Sequence, residues 1–163
     1  EATYTIKGLE MTTTRYYENE LLQSEEHFVS GKLQGLSKYY NEQGKIRTEV
    51  NYQQGQLHGL RTEYFGNGQT ALKEEFSYGD RIGVHERFFE NGQVESSMTF
   101  KSDKKHGPFT SYYEDGTIRE EGEYGGNRKV LKWKYYDQKG ELERIEIYKN
   151  GLLAETHTAP FEE

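Results

Sequence analysis

Short runs of alternating apolar and polar residues fill this chain, and glycine interrupts them at close intervals. Ile46, Thr48, Val50 and Tyr52 alternate with Arg47, Glu49 and Asn51, and Leu60, Thr62 and Tyr64 alternate with Arg61, Glu63 and Phe65. A period of two puts successive side chains on opposite sides, so each run predicts a strand with one apolar and one charged face. The stretches "YYEDGTI" and "FFENGQV" set Asp-Gly or Asn-Gly between β-favouring residues. They predict hairpins whose three-residue loop ends in a glycine, which tolerates a left-handed backbone. Such a loop sets Tyr64 opposite Thr70 and Tyr112 opposite Ile118. The stretches "NEQG" and "DQKG" predict wider turns. Frequent glycine and the weight of β-branched and aromatic residues oppose helix.

The runs repeat. "HGLRTEYFGNGQ", His58 to Gln69, returns as "HGPFTSYYEDGT", His106 to Thr117, and "GVHERFFENGQ" lies between them. Turn glycines fall at Gly44, Gly68, Gly92, Gly116 and Gly140, a period of 24, with Glu20 in the slot before them. One aromatic series is Tyr16, Tyr40, Tyr64, Phe88, Tyr112 and Tyr136; a second is Phe28, Tyr52, Phe76, Phe100, Tyr124 and Tyr148. A fixed period of this length is the mark of a repeat architecture. The expected fold is all-β: an elongated, single-layer antiparallel meander of six 24-residue hairpin repeats, about 12 strands, twisted or curved as long open sheets are. The two aromatic series are expected to form ladders along one face. Residues 1–8 read as an N-terminal lead-in, 9–153 as the repeat array and 154–163 as a C-terminal tail.

"YYNEQGKIRTEVNYQQGQLHG" and "YYEDGTIREEGEY" resemble the bacterial variant of the MORN repeat, as found in proteins of the YwqK antitoxin family. The resemblance covers about residues 9–153 and implies a single-layer array of hairpins acting as a scaffold or recognition surface. It also implies lipid association, as proposed for eukaryotic relatives, or antitoxin activity, as proposed for some bacterial ones. Arg81, Lys105 and Lys129 depart from the pattern where it has Leu, and Leu131 stands in place of Gly.

Composition narrows the function. Apolar residues are 32% of the chain and aromatics 14%, so the buried material is concentrated in large rings, as suits a thin structure. The net charge of −7 opposes nucleic acid as a bulk electrostatic partner. There is no Cys, hence no disulfide, thiolate metal site or Cys nucleophile. No apolar run approaches the length of a membrane helix. The chain opens at Glu1 rather than Met, which is compatible with a cleaved leader and a periplasmic or surface location, or otherwise with the cytoplasm; the compartment stays open.

The search for catalysis finds no assembly. His58 and His106 share a slot two repeats apart, too far for a shared metal, and read as local turn residues. Glu25, Glu49 and Glu121 share a slot on the charged face, but no nucleophile accompanies them. Catalytic residues, metal sites and cofactors are expected to be none. The basic stretch from Lys101 to Lys134 reads as solvated loops, so contact with lipid headgroups is not favoured.

The most informative irregularity is on the face opposite the ladders. In repeats two to four it carries Arg47, Glu49, Arg61, Glu63, His85 and Arg87; in repeats five and six it carries Phe109, Tyr113, Trp133, Tyr135, Ile145 and Ile147. Trp and Tyr are preferred interface anchors. These six are the expected contact site for a protein partner or a second copy of the chain; the other reading is that the tail folds back through Phe161 to cover them. The expected function is a non-enzymatic protein-interaction scaffold. An antitoxin that neutralises a toxin by direct binding is the alternative, and a lipid-surface adaptor the second alternative.

Overall fold

A computed structural model describes residues 2–161. It is antiparallel β throughout, with no helix among the described residues. The chain divides into two compact units, one ending at Asp80 and one beginning at Arg81. The first holds β1 (Ala2–Lys7), β2 (Glu10–Tyr16), β3 (Leu22–Val29), β4 (Lys32–Leu33), β5 (Gly35–Tyr40), β6 (Ile46–Gln53), β7 (Gln56–Tyr64) and β8 (Thr70–Ser77). The second holds β9 (Asp80–Phe88), β10 (Val94–Lys101), β11 (Lys104–Tyr112), β12 (Ile118–Gly125), β13 (Arg128–Tyr136), β14 (Leu142–Lys149) and β15 (Leu152–Thr158). In each unit the strands lie side by side in chain order, with the two-residue β4 against β3. The fold class is the expected open meander of hairpins. The count is fifteen strands rather than about twelve, because β1 and β15 form at the two ends and Gln34 separates β4 from β5.

Six hairpin loops close alike. The amide of Phe65 donates to Gln69 O and that of Gly68 to Phe65 O. The same two bonds recur at Tyr17–Leu21, Asn41–Lys45, Phe89–Gln93, Tyr113–Thr117 and Asp137–Glu141. The loops of "NEQG" and "DQKG" are therefore not wider. They differ in where the turn-forming side chain sits. Asn67, Asn91 and Asp115 accept from the amide two residues on, inside the loop. Asn41 and Asp137 stand at the loop's first position and each accept two amides from there. Short polar side chains that bond the backbone locally stabilise turns in either position. Glu20 holds the left-handed slot at φ 64° where other repeats have glycine.

The two aromatic series do not share a face, contrary to expectation. Tyr64 faces Thr70 as predicted, but the next pair is Glu63 with Leu72, so Ala71 is an extra residue. The same shift occurs in every hairpin, at Gln23, Arg47, Ala71, Glu95, Arg119 and Glu143. One extra residue reverses the alternation beyond it. In the first unit Phe28, Tyr52 and Phe76 thus lie on one face and Tyr16, Tyr40 and Tyr64 on the other; in the second, Phe100, Tyr124 and Tyr148 lie on one face and Phe88, Tyr112 and Tyr136 on the other. The first face is the covered one. It carries Val50, Phe76, Phe100, Phe109 and Trp133, the buried apolar residues of the protein, with the buried polar Thr13, Ser24, Glu26, Ser37, His85 and Ser111. The second, open face holds none of the fully buried residues, and its rings are half-buried.

Candidate functional site

On the covered face of the C-terminal unit, sequence places one small residue among large ones. Gly122 of β12 pairs with Phe109 of β11, and across it lies Trp133 of β13. A Cβ on Gly122 would stand 2.3 Å from Trp133 Cδ2, so the indole rests directly on the glycine backbone. That close approach brings Trp133 to Phe109, two strands away: the rings stack at 5.4 Å and 28°. Tyr124 closes the cluster edge-on, 5.0 Å from Trp133 and 5.8 Å from Phe109. The indole Nε1 donates to Glu123 O at 3.1 Å, so the one polar atom of the ring is satisfied. Trp133 is 0% exposed.

Lys129 roofs this cluster. Its Nζ lies 4.0 Å from the Trp133 ring centre and 5.2 Å from that of Tyr135, and it donates to Tyr135 Oη at 2.7 Å. Tyr135 Oη in turn donates to Glu146 Oε2 at 2.5 Å, and Tyr148 Oη donates to the same oxygen at 2.9 Å. Arg144 sits 4.1 Å over Tyr135 and 3.2 Å from Glu146 Oε1, close enough for an ion pair though not angled as a hydrogen bond. Burial opposes the charge on Glu146, but the two phenol donors with Arg144 and Lys129 hold its carboxyl below the usual range. Burial and the bond to Glu146 push the Tyr135 phenol well up. Lys129 departs from the repeat pattern for a visible reason. In the N-terminal unit its slot is Leu33 or Leu57, paired with Phe28 or Tyr52. In the C-terminal unit the slot is Arg81, Lys105 or Lys129, and each cation lies over a ring: Phe100 at 4.5 Å, Tyr124 at 4.9 Å, and Tyr148 at 5.9 Å besides Trp133. Cations over aromatic faces take the place of aliphatic cover.

The six expected contact residues are thereby distributed. Phe109, Trp133 and Tyr135 come together on the covered face. Ile145 and Ile147 pair with Lys134 and Lys132 on the open face. Tyr113 is a hairpin-loop residue whose hydroxyl donates to Tyr136 O, tying one loop to the next repeat. The bulge at Arg119 and its equivalents separates what strict alternation would have kept together. The described part of the tail, to Phe161, does not cover Trp133. Phe161 stands with His157, Thr158 and Pro160 beside Ile145, and remains 38% exposed.

The open face carries its own ladder. Tyr40, Tyr64 and Tyr136 donate to Glu25 of β3, Glu49 of β6 and Glu121 of β12 at 2.8, 2.6 and 2.8 Å. The shared glutamate slot is thus a set of phenol acceptors. Tyr64 is pushed up to about 12, chiefly by that bond, and Tyr40 to about 12, chiefly by burial with the bond second. Beside this ladder runs a row that the sequence reading missed: Leu36 (44% exposed) and Leu60 (56%) in the N-terminal unit, Val84 (53%) and the exposed Pro108 in the C-terminal unit. Each follows a glycine with positive φ, Gly35, Gly59, Gly83 or Gly107. Their common spacing of 24 was the available signal. In the C-terminal unit the row borders a shallow depression of about 210 Å³ with Thr110, Glu121, Lys132 and Lys134 on its walls.

Residues 33–54, 81–102, 105–124 and 129–150 match the MORN repeat variant, together more than half of the chain. The chain belongs to that family. Each matched segment begins at the Leu/Arg/Lys slot and spans one hairpin, and MORN repeats of this kind form binding scaffolds. No curated protein matches the chain significantly. Among solved structures, a porin-like protein from Bacteroides uniformis ATCC 8492 aligns over 96% of this chain and 91% of its own, at 9% identity and a TM-score of 0.26. At that score the likeness bears on neither fold nor function.

Proposed function

We propose that this MORN-repeat chain is a non-enzymatic scaffold that holds an extended segment of a protein partner on its open face. The observation that carries the reading is the row of exposed aliphatic side chains, Leu36 with Leu60 and Val84 with Pro108, set one per repeat. Within a unit, two strands separate successive members, roughly 10 Å. Exposed apolar residues in a recurring row, bordered by Glu and Lys, fit an extended polypeptide better than a compact small molecule. Ile145, Ile147 and Tyr113 extend this surface in the last repeats, while Phe109, Trp133 and Tyr135 stiffen the sheet behind it. An antitoxin that neutralises a toxin by direct binding, as in YwqK-type proteins, is the specific form this function would take with a toxin as partner.

A photo-crosslinking side chain at Leu60 or Val84 tests the proposal, with the covered-face position Arg61 as control. Protein adducts from the first two positions in the source cell, and few from the third, are expected. Absence of protein adducts, together with binding of anionic vesicles that salt abolishes, would replace the proposal with a lipid-surface adaptor.

A further inference from the structure

Sequence reads the basic residues from Lys101 to Lys134 as solvated loops. In the structure they are strand residues of the C-terminal unit, on β10 to β13. Alternation sorts them between the faces. Lys105 and Lys129 face Phe100 and Tyr124 on the covered side, over rings. Lys101, Lys104, Arg128 and Lys132 lie on the open face and are exposed. Two further cations of that face are engaged, Lys134 by Glu121 and Lys149 by Glu155. The first four have no hydrogen bond or ion pair among the described residues. Asp103, in the turn between Lys101 and Lys104, is held by Arg81 at 2.6 Å.

Two features set these cations apart from a solvated fringe. Lys101 pairs directly with Lys104 across the tight turn, and like charges so placed are destabilising. The same pair in the N-terminal unit is the neutral Gln53 with Gln56. Arg128 is seated rather than loose: a Cβ on Gly151 would stand 2.5 Å from its Cδ, so its stem lies on the bare backbone of a neighbouring turn. An uncompensated repulsion in a chain of net charge −7 points to an anion that relieves it.

The cations border the aliphatic row. Val84 pairs with Thr99, which stands two residues along β10 from Lys101, roughly 7 Å. Val84 and Pro108 are one repeat apart, as are Lys104 and Arg128, and a repeat advances two strands, roughly 10 Å. Lys132 holds the next place in the row after Pro108. In a β-strand, residues three apart point to opposite sides. In a polyproline II segment they return to the same side after about 9 Å, close to the step of the sheet. We infer that the partner segment on this unit is acidic and adopts the polyproline II conformation, with apolar side chains on Val84 and Pro108 and carboxylates on Lys101, Lys104, Arg128 and Lys132. The inference rests on the scaffold reading of the open face and names its ligand class. Glu121 and Glu123 pair with Thr110 and Pro108 among these groups. A polypeptide can space its charges around them, which the uniform negative plane of an anionic membrane cannot.

Fluorescence anisotropy tests it, with a labelled peptide of repeating Leu-Glu-Pro titrated with the full chain. The comparisons are a Leu-Lys-Pro repeat, a peptide of the same composition in scrambled order, and phosphatidylserine vesicles. The Leu-Glu-Pro repeat is expected to bind, and more weakly as salt is raised. Combining Lys101→Gln, Lys104→Gln, Arg128→Gln and Lys132→Gln should weaken it about tenfold or more, since each exposed charge pair is worth little but four are lost. The melting temperature should not fall, because the repulsion between Lys101 and Lys104 goes with the charges. Should the fourfold variant unfold, Arg128→Gln with Lys132→Gln keeps the test and should weaken binding about threefold. No binding, equal binding of the lysine or scrambled peptide, a variant that binds as before, or a preference for the vesicles overturns the inference. Photo-crosslinking at Val84 separates it from the scaffold reading. Protein adducts that persist unchanged in the variant leave the scaffold and remove its acidic partner, whereas no adducts from the unaltered chain remove the scaffold itself.

Discussion

Adding one methyl group at Gly122 should destabilise this protein more than almost any other single-atom change. Its backbone is not left-handed, so alanine there meets no conformational penalty, and in a strand interior it would ordinarily stabilise by about 0.5–1 kcal/mol. The obstacle is Trp133. The new Cβ would lie 2.3, 2.5 and 2.6 Å from three indole carbons, and the ring must move. The ceiling on the cost is complete loss of the indole, about 3–5 kcal/mol as for a buried Trp→Ala change. The floor is the strain of an overfilled site whose neighbours yield, about 1–3 kcal/mol. Phe109, Tyr124 and Lys129 hem the ring on its remaining sides, and leaving Glu123 O forfeits a hydrogen bond worth about 0.5–1.5 kcal/mol. A loss of about 2–4 kcal/mol is expected. Urea titration would measure it by circular dichroism and, independently, by the emission of the only tryptophan, which should shift to the red in the native state. Gly66→Ala, with nothing within 4 Å of its Cβ, is the control and should change stability by less than about 0.5 kcal/mol. The decisive result is the double variant. If the clash is the cause, Gly122→Ala should add nothing to Trp133→Ala. Additive losses, or unchanged emission in Gly122→Ala, would refute the packing described here.

Further expectations follow from the ladders and the repeat. Raising the pH should destabilise the fold between about 10 and 12, because an unfolded tyrosine loses its proton near 10 while Tyr40 and Tyr64 hold theirs to about 12; unfolding followed against pH should therefore be less steep in Tyr64→Phe. Lowering the pH should remove the contribution of Glu146, whose carboxyl is held below its unfolded value, and Glu146→Gln should flatten the acid limb of the stability curve. Removing residues 35–58, one whole period, should leave a folded protein with a lower melting temperature, whereas removing twelve residues should join unlike strands and abolish the transition. Arg61→Ala should cost more than a bare surface substitution, since its guanidinium binds Glu74 at 2.9 Å and also contacts Glu63 on the covered face.

Much of the fold was legible because the repeat states it several times. A loop glycine at Gly68, Gly92 and Gly116, with Asn or Asp just before it, fixes a three-residue hairpin on local chemistry alone, and the predicted pairs Tyr64–Thr70 and Tyr112–Ile118 are present. The turns at Asn41 and Asp137 were misread as wide because the same hydrogen-bonding job is done from two positions earlier, where it does not look like an Asn-Gly signal. The extra strands at the ends went unread for a different reason: β1 steps by 22 rather than 24 residues to its counterpart, Ile6 to Phe28, so the period does not reach it.

What alternation could not supply was the bulge. From Thr70 onward the eye counts in twos and carries Tyr64 and Phe76 onto one face, but an extra residue at Ala71 reverses the count. Nothing in the composition of Gln23, Arg47, Ala71, Glu95, Arg119 and Glu143 marks a bulge, since a residue left out of the cross-strand pairs needs no particular side chain. A signal did exist in the relation between two series. Where the ladder position is Tyr40, Tyr64 or Tyr136, the residue fifteen places earlier is Glu25, Glu49 or Glu121; where it is Phe88, that residue is Lys73. Tyr112, with Ser97 fifteen places earlier, is the exception; in the three repeats named, the match of phenol with carboxylate is accounted for if the two touch. That contact places the first aromatic series with the glutamates, on the face opposite Phe76, and with it the candidate patch divides: Trp133 on the covered face, Ile145 and Ile147 on the open face proposed for a partner.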